Sequence, residues 1–310
     1  METERWVCEG GDPCPPELQN LGYDHLRSAL WNGAHQHEGA FEFIVTEQGH
    51  TNWEVPEGTC EAFTGDVFHT KPGEIHKGCY DAIEPCRRWW LQVRVPATQA
   101  SGSQRWLELP DDEGHALLLR LYQLPRVFRG DPQLFTHLRS LRANAGASGP
   151  VARAACRWAL VGFLLCLLRP AESRRVDPDI LPGLRDIVLE MQLNKAWRPR
   201  VEELASRVGV SQSHFHRVFR EYTGLSPIEY GERLRMQEAC ARLEKSRCSI
   251  IRIANDLGYA TSQHFSAVFK RTMGQSPVQW RKHHELSPAR SVTDHRLAVG
   301  AQPRERFGGN

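Results

Sequence analysis

The chain has 310 residues, 40% hydrophobic and 25% charged, which is enough for two domains with cores of their own and ordinary for a soluble globular protein. Its formal charge of +2 conceals an asymmetry: residues 1–100 hold 7 Lys and Arg against 16 Asp and Glu, whereas residues 181–285 hold 17 against 11. An acidic front and a basic back imply two tasks, with any polyanion met by the back. The nine cysteines are scattered and never paired as C-x-x-C, which points to a reduced, cytoplasmic chain. The opening "METERWVCEGGDPCPP" is acidic and proline-rich where a signal peptide needs a basic and then an apolar run.

Residues 1–20 read as an N-terminal arm. From 21 to 98 the text consists of short β-branched and aromatic runs ("FEFIVTEQG", "NWEVPEG", "CEAFTGDVFHTKPGEIH", "RRWWLQVRVP") broken by Gly, Pro and Asp, the punctuation of an antiparallel barrel or sandwich. Two histidines stand near its start, in "HQHEGAFEF". Residues two apart share a strand face, so His35 and His37 reach one site; Gly39 permits a turn, after which Glu42 and Ile44 lie on one face of the returning strand and Phe41 and Phe43 on the other. A later Pro72-Gly73 turn leads to His76. Three imidazoles and a carboxylate suit a divalent transition metal, Zn, Fe, Mn or Ni. The same side chains equally suit a metal-free pocket that hydrogen-bonds a small molecule, with Trp53 as a further ligand contact. Phe41, Phe43, Trp53, Trp89 and Trp90 are candidates for pocket walls or for plain core.

Residues 99–169 turn to helical spacing. The run "WALVGFLLCLLRP" at 158–170 is shorter than a membrane span requires, so no membrane is expected as a partner. The helix around it, 151–168, is apolar on too many sides for a lone surface helix and reads as a dimer contact through Leu164 and Leu168, or as packing beneath the barrel. Residues 170–182, within a polar stretch bearing three prolines, form a linker, and 286–310 lack periodicity and read as a disordered tail.

Residues 183–285 contain an internal repeat. "LASRVGVSQSHFHRVFREYTGLSP" (204–227) matches "IANDLGYATSQHFSAVFKRTMGQSP" (253–277), with Ala205 facing Ala254, Gly209 facing Gly258, Phe215 facing Phe265 and Phe219 facing Phe269. Each copy spells a short helix, a glycine turn and a second helix capped by Ser211 in the first copy and by Thr261 or one of its neighbours in the second. Phe215, Val218 and Phe219, like Phe265, Val268 and Phe269, recur at i, i+3, i+4 and set the buried face. The opposite face presents Gln212, Ser213, His216, Arg217 and Arg220 in the first copy and Ser262, Gln263, Ser266 and Lys270 in the second, donors and acceptors suited to base edges and phosphates.

These residues resemble a known family. The stretch "SIIRIANDLGYATSQHFSAVFKRTMGQSPVQWRK", within 183–284, looks like the DNA-binding domain of the AraC/XylS transcriptional regulators. H-x-H-x4-E-x6-G followed by G-D…P-G-x-x-H resembles the two cupin-barrel motifs, with Ala29 where a glycine is usual and Tyr80 where an asparagine is usual. The resemblance implies an α+β multidomain chain: an N-terminal cupin-like β-barrel with a helical segment, and a C-terminal all-α double helix-turn-helix. It implies two recognition helices, about 211–222 and 261–272, entering successive major grooves of promoter DNA; Ala267 stands where the family often has a basic residue. The function it implies is a ligand-responsive, sequence-specific regulator, not an enzyme, working as a homodimer in the cytoplasm with double-stranded DNA and a small-molecule effector as partners. The alternative is a metal-dependent cupin enzyme with an appended helical module.

Overall fold

The computed structural model describes residues 3–96, 105–169, 177, 179–245 and 247–285. The expected tail, 286–310, and most of the expected linker lie outside the described residues. The front half is built on a six-stranded antiparallel sheet. In chain order its elements are β1 (Glu4–Glu9), β2 (Leu18–His25), β3 (Leu30–Trp31), β4 (Ala40–Gln48), β5 (His50–Val55), β6 (Gly58–Phe63), β7 (Asp66–Thr70), β8 (Lys77–Gly78), β9 (Ala82–Ile83) and β10 (Arg87–Arg94). The expected arm thus contains β1 and the first residues of β2, and the helical stretch lends a short strand, β11 (Val127–Arg129), to the sheet, whose order is β1-β2-β10-β4-β7-β11.

Strand β4 explains the layering. Its alternation is imperfect to the eye because both of its faces are covered, and a strand covered on both sides needs no solvent-facing polar row. Phe41, Phe43 and Val45 face the helices α1 (Asp111–Tyr122), α2 (Gln133–Asn144) and α3 (Pro150–Leu167), and Phe43 meets Phe163 of α3 edge-on at 6.0 Å. Ile44 faces the other way, into a second core with Trp53, Phe68 and Ile83, where the smaller sheets β6-β5-β8 and β3-β9 cover the large one.

Helix α3 is long and apolar enough by composition to cross a membrane, but Cys156, Leu160, Phe163, Leu164 and Leu167 are buried in this core. Leu164 is 0% exposed and Leu168 packs partly buried against the same core, so the helix packs beneath the sheet, the second of its two expected readings, and Leu164 is a core residue rather than a dimer contact. The outward face of α3 instead carries Val151, Trp158 and Leu165, seven residues apart.

The back half is helical throughout: α4 (Leu181–Leu193), α5 (Val201–Arg207), α6 (Gln212–Thr223), α7 (Pro227–Lys245), α8 (Ile250–Asp256), α9 (Ser262–Met273) and α10 (Pro277–Glu285). The repeat folds into two helix-turn-helix units, α5-α6 and α8-α9, one on each end of α7. Gly209 and Gly258 occupy their turns at φ +69° and +72°, where a side chain would be strained. The hydroxyls of Ser211 and Thr261 accept from the backbone N–H groups of His214 and His264, as helix caps do. Helix α7 opens with a reciprocal box in which Glu229 accepts from the Ser226 N–H at 2.9 Å.

Candidate functional site

Three strands of the large sheet place a polar row in the barrel interior. Gln92 of β10 stands directly opposite Glu42 of β4 on one side and Asn20 of β2 on the other. Asn20 Nδ2 donates to Gln92 Oε1 (2.7 Å), and Gln92 Nε2 donates to Glu42 Oε1 (3.2 Å) and lies 3.1 Å from His37 Nε2. The turn at Gly39, φ +67°, brings His37 back over β4. His35 and His76 meet through paired backbone hydrogen bonds, so their rings stand 4.2 Å apart. The structure therefore brings His35, His37, Glu42 and His76 together, with one ligating atom from each within 4.8 Å of the others.

Second interactions aim these rings. Nδ1 of His35 donates to the Gly33 carbonyl (2.8 Å) and Nδ1 of His76 to the Glu74 carbonyl (3.1 Å), which directs each Nε2 toward the cluster. His76 Nε2 meets Glu42 Oε2 at 2.8 Å. Burial opposes charge on His76, but the hydrogen bond to Glu42 and its negative charge outweigh that and raise the imidazole pKa. Burial, and then the charge of His76, push His35 down to about 4. For Glu42, burial alone would raise the carboxyl; the hydrogen bonds from His37 and His76 hold it well below the usual carboxylate range. His76 and Glu42 thus form a buried, hydrogen-bonded pair at the centre of the cluster.

Trp53, expected as a ligand contact, lies with its ring 6.0 Å from that of His76, stacked on Phe68 at 4.8 Å and donating to Thr51. Of the other candidate walls, Phe41, Phe43 and Trp89 belong to the helix-facing core, and Trp90 donates to Asp24. Gln92 and Asn20 were not singled out from sequence; their position two residues from the apolar Trp90 and Leu18 is the available signal. A separate groove of about 350 Å³ lies by the β5-β6 turn, lined by Cys60, His69, Lys71 and Arg126 among others, but its arginine is already held by Glu74 and Glu57.

In the helical half, Gln212, Ser213, Arg217 and Arg220 of α6 and Gln263 and Lys270 of α9 are exposed, with His216, Ser262 and Ser266 partly so. Arg217 pairs with Glu221 (3.0 Å) and Arg220 approaches Glu229 (3.8 Å), both at the surface. All nine lie outside the buried stripes of Phe215 and Phe219 and of Phe265 and Phe269, with Gln212 and Ser262 at their margins. The C-terminal ends of both helices turn toward the front half: Gly224 lies against Gly49 and Thr64, and Gly274 against Ser28 and Ala29.

Comparison with known proteins agrees with this division. An AraC-like ligand binding domain matches residues 29–160 and a helix-turn-helix domain matches residues 204–283. The MmsAB operon regulatory protein of Pseudomonas aeruginosa is 28% identical over 220 residues, 71% of this chain and 66% of that protein. The transcriptional activator RhaS of Escherichia fergusonii is 32% identical over 155 residues, 50% of this chain and 54% of its own length. The chain thus spans less than two thirds of the length of these two relatives. The DNA-binding domain of AdpA, solved with a target DNA, is 28% identical across 33% of this chain and 93% of that structure, at a TM-score of 0.32.

Proposed function

From the premise that this chain belongs to the AraC-type transcriptional regulators, we propose that it is a ligand-responsive, sequence-specific DNA-binding regulator whose effector is held in the front barrel. The observation that carries the reading is the pair of exposed helices, α6 and α9, packed on the two ends of α7 in the same chain as an interior polar cluster. Two such helices fit successive major grooves on one face of a duplex. Polar side chains at Gln212, Ser213, His216, Ser262, Gln263 and Ser266 read base edges, and Arg217, Arg220 and Lys270 add phosphate or guanine contacts. The chain acts in the cytoplasm, on promoter DNA.

The chemistry of the cluster supports a finer reading. Three imidazoles and one carboxylate, two of the rings oriented by backbone carbonyls, form the donor set of a divalent transition ion such as Zn, Fe, Mn or Ni. His35, His37, Glu42 and His76 would hold it, Gln92 would orient Glu42 and His37, and the ion would supply a Lewis-acid anchor for an oxygen-bearing effector. Without an ion, the same groups hydrogen-bond the effector directly. The outward stripe Val151, Trp158 and Leu165 on α3, exposed by 83%, 75% and 48%, supports a homodimer.

Selection of duplexes from a random-sequence pool by the purified full chain tests the proposal. Enrichment of a site with two recognised segments about one helical turn apart is the expected result. Retention of DNA without sequence enrichment overturns it.

A further inference from the structure

Two segments of the barrel form a ribbon from the polar cluster to the second helix-turn-helix unit. At the cluster end, His35 and His76 exchange backbone hydrogen bonds of 3.0 and 2.9 Å. Along the ribbon, the Gly78 N–H donates to the Asn32 carbonyl and the Asn32 N–H to that of Asp81, and β3 pairs with β9, Leu30 opposite Ile83 and Trp31 opposite Ala82. At the far end the Ala29 N–H donates to the Thr272 carbonyl of α9 at 2.7 Å, and the Trp31 ring lies 4.4 Å from that of His283 in α10. Ala29, Tyr80 and Ala82 pack into the core shared by α7, α8, α9 and α10, beside Met236 and Trp280. Trp31 is four residues from His35, a reach of about 13 Å at the rise of a strand.

The first unit rests elsewhere. Phe63, at the end of β6, packs into the core of α4 to α7, and Gly224 faces Gly49 and Thr64. The two units are therefore backed by different parts of the barrel, and the second one is backed by the ribbon that carries His35, His37 and His76, three of the four cluster side chains. The ribbon is also jointed: Tyr80 and Asp81 are consecutive non-glycine residues at φ 57° and 54°, a conformation held only by surrounding contacts.

We propose that this ribbon, residues 29–37 and 76–83, couples the cluster to the second DNA-reading unit, so that a ligand drawing His35 and His76 together shifts α9 and α10 relative to α6. The proposal rests on the reading of the cluster as a ligand site. Coupling of this kind needs a differential contact at each end: the cluster supplies one, and the Ala29, Trp31 and Tyr80 contacts supply the other. The first unit stays on its own support and serves as the fixed reference.

Amide hydrogen exchange of the full chain tests it, with Zn²⁺ alone as the probe. In the parent, Zn²⁺ should change exchange across 262–285 by about fivefold or more and leave 201–223 unchanged. The double change Trp31→Ala with Tyr80→Ala should bind Zn²⁺ with the parent's affinity while 262–285 no longer responds. Trp31→Ala alone, at a residue 44% exposed, provides a milder variant should the double change unfold the chain. A response in the variants equal to the parent's, or a parental response confined to the barrel, overturns the ribbon. Failure of Zn²⁺ to bind counts against the metal reading only, because a second arm needs no ion: His35→Ala should alter exchange across 262–285 in the parent background and not in the Trp31→Ala, Tyr80→Ala background. An unaltered 262–285 in that arm overturns the ribbon too.

Discussion

The Arg233 guanidinium of α7 lies 3.2 Å from the Glu84 carboxylate of the barrel, both largely buried, and joins the basic half of the chain to the acidic half. Gln237 donates to the same carboxylate at 2.8 Å, while Arg233 also reaches Glu61 at 2.9 Å. Removing one member of a buried pair strands the other. Glu84→Ala should therefore destabilise the chain by about 3 kcal/mol, the lower end for such losses because Glu61 still faces Arg233. Glu84→Gln combined with Arg233→Met should recover much of that loss in chemical denaturation.

The same contact carries a pH dependence. His50 stands 3.3 Å from Glu84, and its buried Nε2 has no hydrogen-bond partner among the described residues, so a proton there would be unsolvated. Burial, then the charge of Arg233, lower its pKa. An unfolded histidine takes up a proton near pH 6.5 and the folded one only at a lower pH, so this contribution is present above about 6.5 and is lost progressively as pH falls below it. Burial would raise the Glu84 carboxyl, but Arg233 and the His50 hydrogen bond bring it down to about 2, so its contribution disappears as pH falls from about 4.3 toward that value. The melting temperature should drop between pH 7.5 and 5.5, and His50→Gln should flatten that part of the profile.

Arg217 is exposed on α6 and pairs at the surface with Glu221, so its replacement should leave the fold intact. Arg217→Ala should weaken binding to the selected duplex by about 1–3 kcal/mol and relax preference at one position. An equal loss on every sequence would make it a phosphate contact instead.

Protein purified without chelator should hold close to one equivalent of a transition metal, and His76→Ala should release it. A metal-free preparation whose melting ignores Zn, Fe, Mn and Ni would leave the cluster as the polar wall of an organic-ligand pocket. Where the ion does bind, its removal should lower the melting temperature by mass action.

Trp158→Glu with Leu165→Glu should yield a folded monomer in sedimentation, because both side chains point outward from α3. Leu164→Glu should instead unfold the front half, since it would place a charge in the core.

Much of the DNA-reading half was legible in the residues themselves. A helix-turn-helix is a local structure: the spacing of Phe215, Val218 and Phe219, the turn glycines and the caps Ser211 and Thr261 all act within a few residues, and the second copy repeats them. The convergence of His35, His37, Glu42 and His76 was also anticipated, because strand parity and two turn glycines constrain it. The third row of that site was not. Gln92 and Asn20 reach Glu42 only through the register of β2-β10-β4, which depends on pairing between segments about fifty to seventy residues apart. The choice between a dimer contact and packing beneath the barrel at Leu164 stayed open for a related reason: an apolar helix shows that it is buried, but which of its sides meets the sheet depends on the packing of α2 and of β4 against it. The contacts that join the two halves, Glu84 to Arg233 and Ala29 to Thr272, leave no local pattern in the chain, because each partner reads alone as an ordinary surface or turn residue. Only the tertiary structure buries them together, where the low dielectric makes a single missing partner costly.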